Sequence, residues 1–366
     1  MKIRCSQSQL VNGINTVSKA VPTKTSMTIL ECILFTADEN GIKLTANDME
    51  LGIETYIEGT VEAAGTIAVE AKTISNLIKS YSNDDFIIES DDNNTVHIEC
   101  GKSKLELNGR STEEFVLLPE LEKGSPIEIS QFSLKELIRQ TIFSISDNDT
   151  NKIMTGELFE IKGDKFKVVS LDGHRISVRN IILKNSYDDK SVIVPGKTLL
   201  ELSKILPGDV DKDVSIYLCD NHVIFEYESV KVVSRIIEGQ YFKIDQMISN
   251  DYETKIDVSK KELLEVISRS TLLVKEGDKK PIVFNVNDNV ATLSINSTIG
   301  SMNDDIDIEK SGKDIMIGFN PRFLIDALRV IDDETVTLYM VNPKAPCIIK
   351  NDDGSYLYLI LPVNFS

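Results

Sequence analysis

The chain has 366 residues and 41% hydrophobic content, more apolar mass than one small domain needs, so two or three globular units with separate cores are expected. Against 58 acidic residues stand 40 basic ones, and the net charge of −18 argues against a protein that coats nucleic acid with its outer surface. Five scattered cysteines (Cys5, Cys32, Cys100, Cys219, Cys347) without a CxxC or CxxH pair support neither a zinc site nor a disulfide framework, and no apolar run nears the roughly 20 residues of a membrane span.

The opening MKIRCSQSQL has no apolar stretch after its charges, which fits a soluble cytoplasmic protein rather than an exported one. Apolar residues at helical spacing predict a first helix over Ser8 to Val17 and a second over Lys72 to Tyr81. The pattern returns at Leu134 to Phe143 and Lys197 to Leu206, and again at Lys261 to Thr271 and Arg322 to Ile331. Lys72, Lys197 and Arg322 follow one another at intervals of 125 residues, and Lys79, Lys204 and Arg329 keep the same interval. Between the helices lie alternating β-branched runs closed by turn residues, such as Phe86 to Glu89, Val214 to Leu218 and Val336 to Met340. The repeat of helix, strands, helix, strands predicts an α+β fold of three similar domains. The polar segments Glu122 to Gly124 and Ser249 to Glu253 set the expected borders: 1–124, 125–251 and 252–366.

In each second helix the two basic residues are seven apart, about two turns, so they share a face away from the apolar stripe. For one helix an ordinary solvated face accounts for this. Three in-phase copies in an acidic chain weaken that account: if three similar domains curve so that these helices face inward, with antiparallel sheets outside, a closed ring would be positive within and negative without. Lys135 and Arg139 add charge to the third helix, and Lys260, Lys261 and Arg269 to the fifth; Lys19 lies beyond the end of the first. Such lysines and arginines would give sequence-independent phosphate contacts suited to sliding. With no tryptophan and 6% aromatics, stacking on single strands is disfavoured.

Two motifs suggest chemistry and fall short. Pro195-Gly196-Lys197-Thr198 resembles the end of a phosphate loop, but the required earlier glycine is Ser191. Leu171-Asp172-Gly173-His174-Arg175 gathers an acid, an imidazole and a guanidinium, yet Asp-Gly serves a turn for backbone reasons alone and no nucleophile motif is near. An exposed binding loop is the better reading; an enzyme using Asp172, His174 and Arg175, or a scaffold that never meets DNA, are the alternatives. His97 and His222 fall in strand-like runs and read as structural. No metal or cofactor is expected.

Several motifs together resemble the bacterial DNA polymerase III beta subunit, the beta sliding clamp family, along essentially the whole chain. They are VPTKTSMTIL at Val21 to Leu30, LDGHRISV at Leu171 to Val178, IVPGKTLLEL at Ile193 to Leu202, RIIEGQYFKI at Arg235 to Ile244, GFNPRFLIDAL at Gly318 to Leu328 and the ending LILPVNFS. The resemblance implies three DNA-clamp domains per chain and a non-catalytic homodimeric ring around double-stranded DNA. It also implies a cleft between the second and third domains that takes short linear peptides from the replicative polymerase catalytic subunit, the clamp loader, repair polymerases, ligase and mismatch-repair proteins. The matching positions are Met154, Leu171, Gly173, His174, Arg175, Ile176, Phe242, Met247, Leu361, Pro362 and Val363. Where the family commonly has GxYPxY, this chain has Tyr241-Phe242-Lys243-Ile244, and Gln246 stands at an often basic position. The resemblance adds Lys24 and Lys152 as loop contacts to DNA. Ring closure is expected where an edge strand with Lys104, Leu105, Glu106 and Leu107 meets Leu272 and Leu273 of a second copy.

Overall fold

A computed structural model describes residues 1–82, 85–148, 150–275 and 280–365. Six α-helices lie in them: α1 (Gln7–Val17), α2 (Ala71–Lys79), α3 (Gln131–Arg139), α4 (Gly196–Ile205), α5 (Lys260–Thr271) and α6 (Pro321–Val330). Side-chain caps fix several starts. Ser6 accepts from Gln9 N, Ser259 from Glu262 N, and Asn320 from Arg322 N with Pro321 in the first turn, each filling an otherwise orphaned backbone donor. The third helix departs from expectation. Ser130 Oγ accepts from Ser133 N at 3.1 Å and starts it early, while the Thr141 hydroxyl turns back to Leu137 O at 2.6 Å and the chain leaves the helix before a short 3₁₀ turn at Ile142–Ser144.

The chain forms two compact units, residues 1–134 with 197–236 and residues 135–196 with 237–366, so the expected middle domain contributes to both. In the first unit a five-stranded sheet runs in the order Thr60–Ala63, Lys2–Ser6, Asp85–Ser90, Thr95–Cys100, Ser103–Asn108. An eight-stranded sheet runs Ile127–Ser130, Asp213–Leu218, His222–Tyr227, Val230–Arg235, Leu51–Ile57, Gly41–Asn47, Cys32–Asp38, Gly65–Glu70. Its continuity depends on antiparallel pairing of Val230 to Ser234 with Thr55 to Leu51. Helices α1 and α2 pack together, and Leu10, Ile14, Ile74 and Ile78 bury their apolar stripes.

The second unit holds one ten-stranded sheet: Gly156–Leu171, Arg175–Pro195, Tyr356–Ile360, Cys347–Lys350, Thr335–Met340, Thr254–Ser259, Ser301–Gly312, Val290–Asn296, Ile282–Asn287, Ile315–Phe319. Here Tyr356 to Ile360 pairs antiparallel with Arg179 to Arg175, the same kind of join as in the first unit. Helices α5 and α6 pack over a core that includes Leu263, Ile267, Leu324 and Leu328, with Phe284 and Phe319 edge to face at 5.5 Å.

A small turn marks the repeat. Asp48 Oδ1 accepts from Glu50 N and Leu51 N, Asp172 Oδ1 from His174 N and Arg175 N, and Ser297 Oγ from Ile299 N and Gly300 N. In each case the hairpin pairs the residue before the turn with the residue after it: Asn47 with Gly52, Leu171 with Ile176, Asn296 with Ser301. One Asx- or Ser-capped turn thus recurs three times, at intervals of 124 and 125 residues.

Candidate partner cleft and nucleic-acid interface

The long hairpin of the second unit turns at Asp172–Arg175, where Gly173 adopts φ +86°, a conformation that favours glycine. Around this turn lies an open cleft of about 240 Å³ lined by Met154, Leu171, Gly173, His174, Arg175, Ile176, Phe242, Met247, Pro346, Leu359 and Leu361. Its base continues into buried Val169, Val178, Ile193, Tyr241, Ile244 and Ile348. The walls are apolar, with His174 and Arg175 as the titratable side chains, so the cleft suits an apolar segment held by few polar anchors. Leu361 N donates to His174 O at 2.9 Å and ties the last strand to the turn.

The structure brings together most of the residues expected here and corrects others. Pro362 and Val363 are not lining residues: Val363 N donates to Gly318 O at 2.8 Å, which carries the chain end toward the strand Ile315–Phe319. Leu359 and Pro346 are additions. Leu359 shares a strand face with Leu361, so alternation could have found it; Pro346 has no sequence cue. Arg175 lines the cleft but its side chain is only 12% exposed and is bound to Asp172 and Asp326. Asp172 and Arg175 are thus engaged with each other at 2.9 Å, so of the three polar side chains on the turn only His174 is not held in that pair.

Models for three parts of one family match this chain: the N-terminal domain of the DNA polymerase III beta subunit over residues 1–119, its central domain over 128–243 and its C-terminal domain over 245–364. A beta sliding clamp from Staphylococcus aureus is 30% identical over 374 residues, covering 99% of both chains. This chain belongs to the beta sliding clamp family. A solved structure from Eubacterium rectale, assigned as a DNA polymerase III beta subunit, is 62% identical with a TM-score of 0.98, covering 100% of this chain and 99% of that one. A DNA polymerase sliding clamp from Bacillus subtilis is 30% identical with a TM-score of 0.96 over the same shares. The chain is accordingly built of three repeated clamp domains and is a DNA sliding clamp, a processivity factor.

The cations of this sliding clamp differ in availability. Lys72 and Lys79 on α2, Arg322 and Arg329 on α6, Lys24 in the loop before Thr28–Glu31, and Lys152 at the start of a 3₁₀ turn are all exposed, and none has a carboxylate partner among the described residues. On α4, Lys197 is paired with Asp48 and Lys204 with Glu201 at 2.8 Å. Arg139 is half-buried against Glu136 at 2.6 Å and Asp332 at 3.5 Å, and its bonds to Glu136 raise its pKa. Lys135 is half-buried on α3. In the fifth helix Lys260 donates to Ile331 O and Arg269 to Asp304. The in-phase positions therefore share a helix face but not an equal charge to offer a phosphate.

The expected closure strand, Ser103–Asn108, is the edge of its sheet, with Lys104 exposed and Leu105 and Leu107 half-buried. Leu272, just past α5, is 77% exposed, and Leu273 beside it is half-buried. Among the described residues no group of His, Cys, Asp and Glu could hold a metal ion, and no helix is long and apolar enough to cross a membrane.

Proposed function

We propose that two copies of this chain close head to tail into a ring around double-stranded DNA, contributing no chemistry of their own, and that the cleft of the second unit holds partner peptides. The partners are the replicative polymerase catalytic subunit, the clamp loader, repair polymerases, ligase and mismatch-repair proteins, and the setting is the cytoplasm. The three domains run over 1–124, 125–251 and 252–366.

The observation that carries closure is the repeated strand join. Within the chain, the strand after a capped turn pairs twice with the last strand of the following repeat: Leu51–Ile57 with Val230–Arg235, and the start of Arg175–Pro195 with Tyr356–Ile360. One turn and one last strand remain without that join. Among the described residues, the stretch Ser301 to Asp307, after the Ser297 turn, pairs only with Val290–Asn296, and Ser103–Asn108 pairs only with Thr95–Cys100. The internal registers, Leu51 with Ser234 and Arg175 with Ile360, carry over to Gly300 opposite Leu107 and Asp304 opposite Ser103 in a second copy. The exposed Leu272 supports a covered partner face there. Open edges that meet only a second copy yield a closed ring of two and remove an aggregation liability.

The free cations of α2 and α6 support a sequence-independent, salt-sensitive hold on phosphates, while the acidic remainder repels nucleic acid outside. The test combines light scattering with retention on nicked circular plasmid after loading by a clamp loader. A mass twice the 40.8 kDa of one chain, with protein held on circles and released on linearisation, is the expected result. A monomer, or retention that ignores linearisation, overturns the ring.

A further inference from the structure

Arg175 is placed to hold the cleft rather than to meet a ligand. Its Nε donates to Asp172 Oδ2 at 2.9 Å, its Nη1 donates to Asp326 Oδ2 at 2.6 Å, and its Nη2 donates to the main-chain carbonyl of Phe143. The guanidinium lies over two rings, 4.5 Å from the centroid of Phe323 and 5.4 Å from that of Phe143. With three polar contacts and two aromatic faces engaged, little of it remains for a peptide. The neighbouring His174 ring stacks on the same Phe323 at 6.1 Å and 21°.

Phe323 and Asp326 are three residues apart on α6, so they rise from one face of the helix, one under the imidazole and the other against the guanidinium. A turn on an exposed loop is otherwise free to change shape, and a binding cleft loses affinity when its walls must be ordered on binding. We propose that Asp326 and Phe323 of α6 are positioning residues for the partner cleft, fixing the Asp172–Arg175 turn through the Arg175 guanidinium and the stacked His174 ring. This rests on the reading of the cleft as the partner site. It assigns Arg175 to the framework and leaves His174 as the polar group the cleft presents.

The test uses the full chain and the replicative polymerase catalytic subunit of the same organism, with binding read by surface plasmon resonance and turn order by hydrogen exchange of the segment 171–176. Asp326→Ala, Asp326→Asn and Phe323→Leu are compared with Leu361→Asp, which alters the cleft wall itself. Asp326→Ala and Phe323→Leu are expected to weaken binding about tenfold, within the range typical of coupling between linked groups. The amides of His174 and Arg175, which donate to Asp172, should exchange faster while α5 stays protected. Asp326→Asn, which keeps an acceptor, should fall between. The double variant Arg175→Ala with Asp326→Ala should lose no more than Arg175→Ala alone, the non-additivity of two groups acting as one. If Leu361→Asp loses binding but the α6 variants bind as wild type, the positioning role is overturned. If the wild type fails to bind, or Leu361→Asp binds normally, the cleft reading itself fails; faster exchange of 171–176 in the α6 variants then still supports positioning, and unchanged exchange overturns it.

Discussion

Replacing Glu157 by Gln should stabilise the protein at neutral pH and do much less at pH 5. Glu157 lies on the strand Gly156–Leu171, fully buried, and neither carboxylate oxygen has a hydrogen-bond partner. A bond from the Thr141 hydroxyl would favour the charged form, but that hydroxyl already donates to Leu137 O at 2.6 Å, so the carboxyl gains little from it. Burial therefore pushes the Glu157 pKa well above its ordinary 4.5. A pKa raised in the folded state gives stability that is fully present below the unfolded value and lost as pH rises toward the folded one. Keeping a carboxyl of ordinary pKa 4.5 protonated at pH 7 costs up to about 3.4 kcal/mol, at roughly 1.36 kcal/mol per pH unit. The amide introduced by Glu157→Gln is nearly isosteric with the protonated acid and escapes that cost, though it shares the desolvation. Urea unfolding of both proteins from pH 5 to 8 reads the difference. The variant's advantage should grow from about 0.7 kcal/mol at pH 5 by about 1.4 kcal/mol per pH unit until the folded-state pKa is reached. Parallel pH profiles, or a variant less stable at every pH, would refute the assignment of an uncharged, unpartnered carboxyl.

Changing Lys72, Lys79, Arg322 and Arg329 to Gln should lower duplex affinity and flatten its salt dependence by about 0.9 in log-log slope for each phosphate no longer neutralised. Lys197→Gln, whose ammonium is already shared with Asp48, should move the slope less; fluorescence anisotropy of a labelled duplex against NaCl concentration distinguishes the two. If the proposed ring forms, Leu272→Asp should leave monomers by placing a charge in the proposed partner face, seen by light scattering, while the urea midpoint of the single chain stays near wild type. A dimer that survives this change would remove Leu272 from the interface.

The six helices were legible because each depends on apolar spacing within about ten residues, and several also on caps next door in sequence. The capped turn at Asp172 was legible for the same reason, since its hydrogen bonds span two and three residues. α3 was misjudged at its end, where Thr141 and the Ser144–Ser177 contact at 2.6 Å draw the chain out of the helix. The apolar cleft residues were identified largely through resemblance, and Pro346 was missed because its place in the wall follows from the fold of strands far apart in the chain.

By itself the sequence determined the α+β repeat, its 125-residue period and the shared face of the repeated cations, all set by local periodicity and backbone preference. Tertiary structure alone decided how that charge is spent and what holds the cleft. Asp48 reaches Lys197, Asp332 reaches Arg139, and Asp326 reaches Arg175 across gaps of about 150 to 190 positions that no local pattern encodes. The burial of Glu157 belongs to the same class. Alternation places it on one strand face with Phe159 and Ile161, but only packing against other elements makes that face dry enough to hold a proton on a carboxyl.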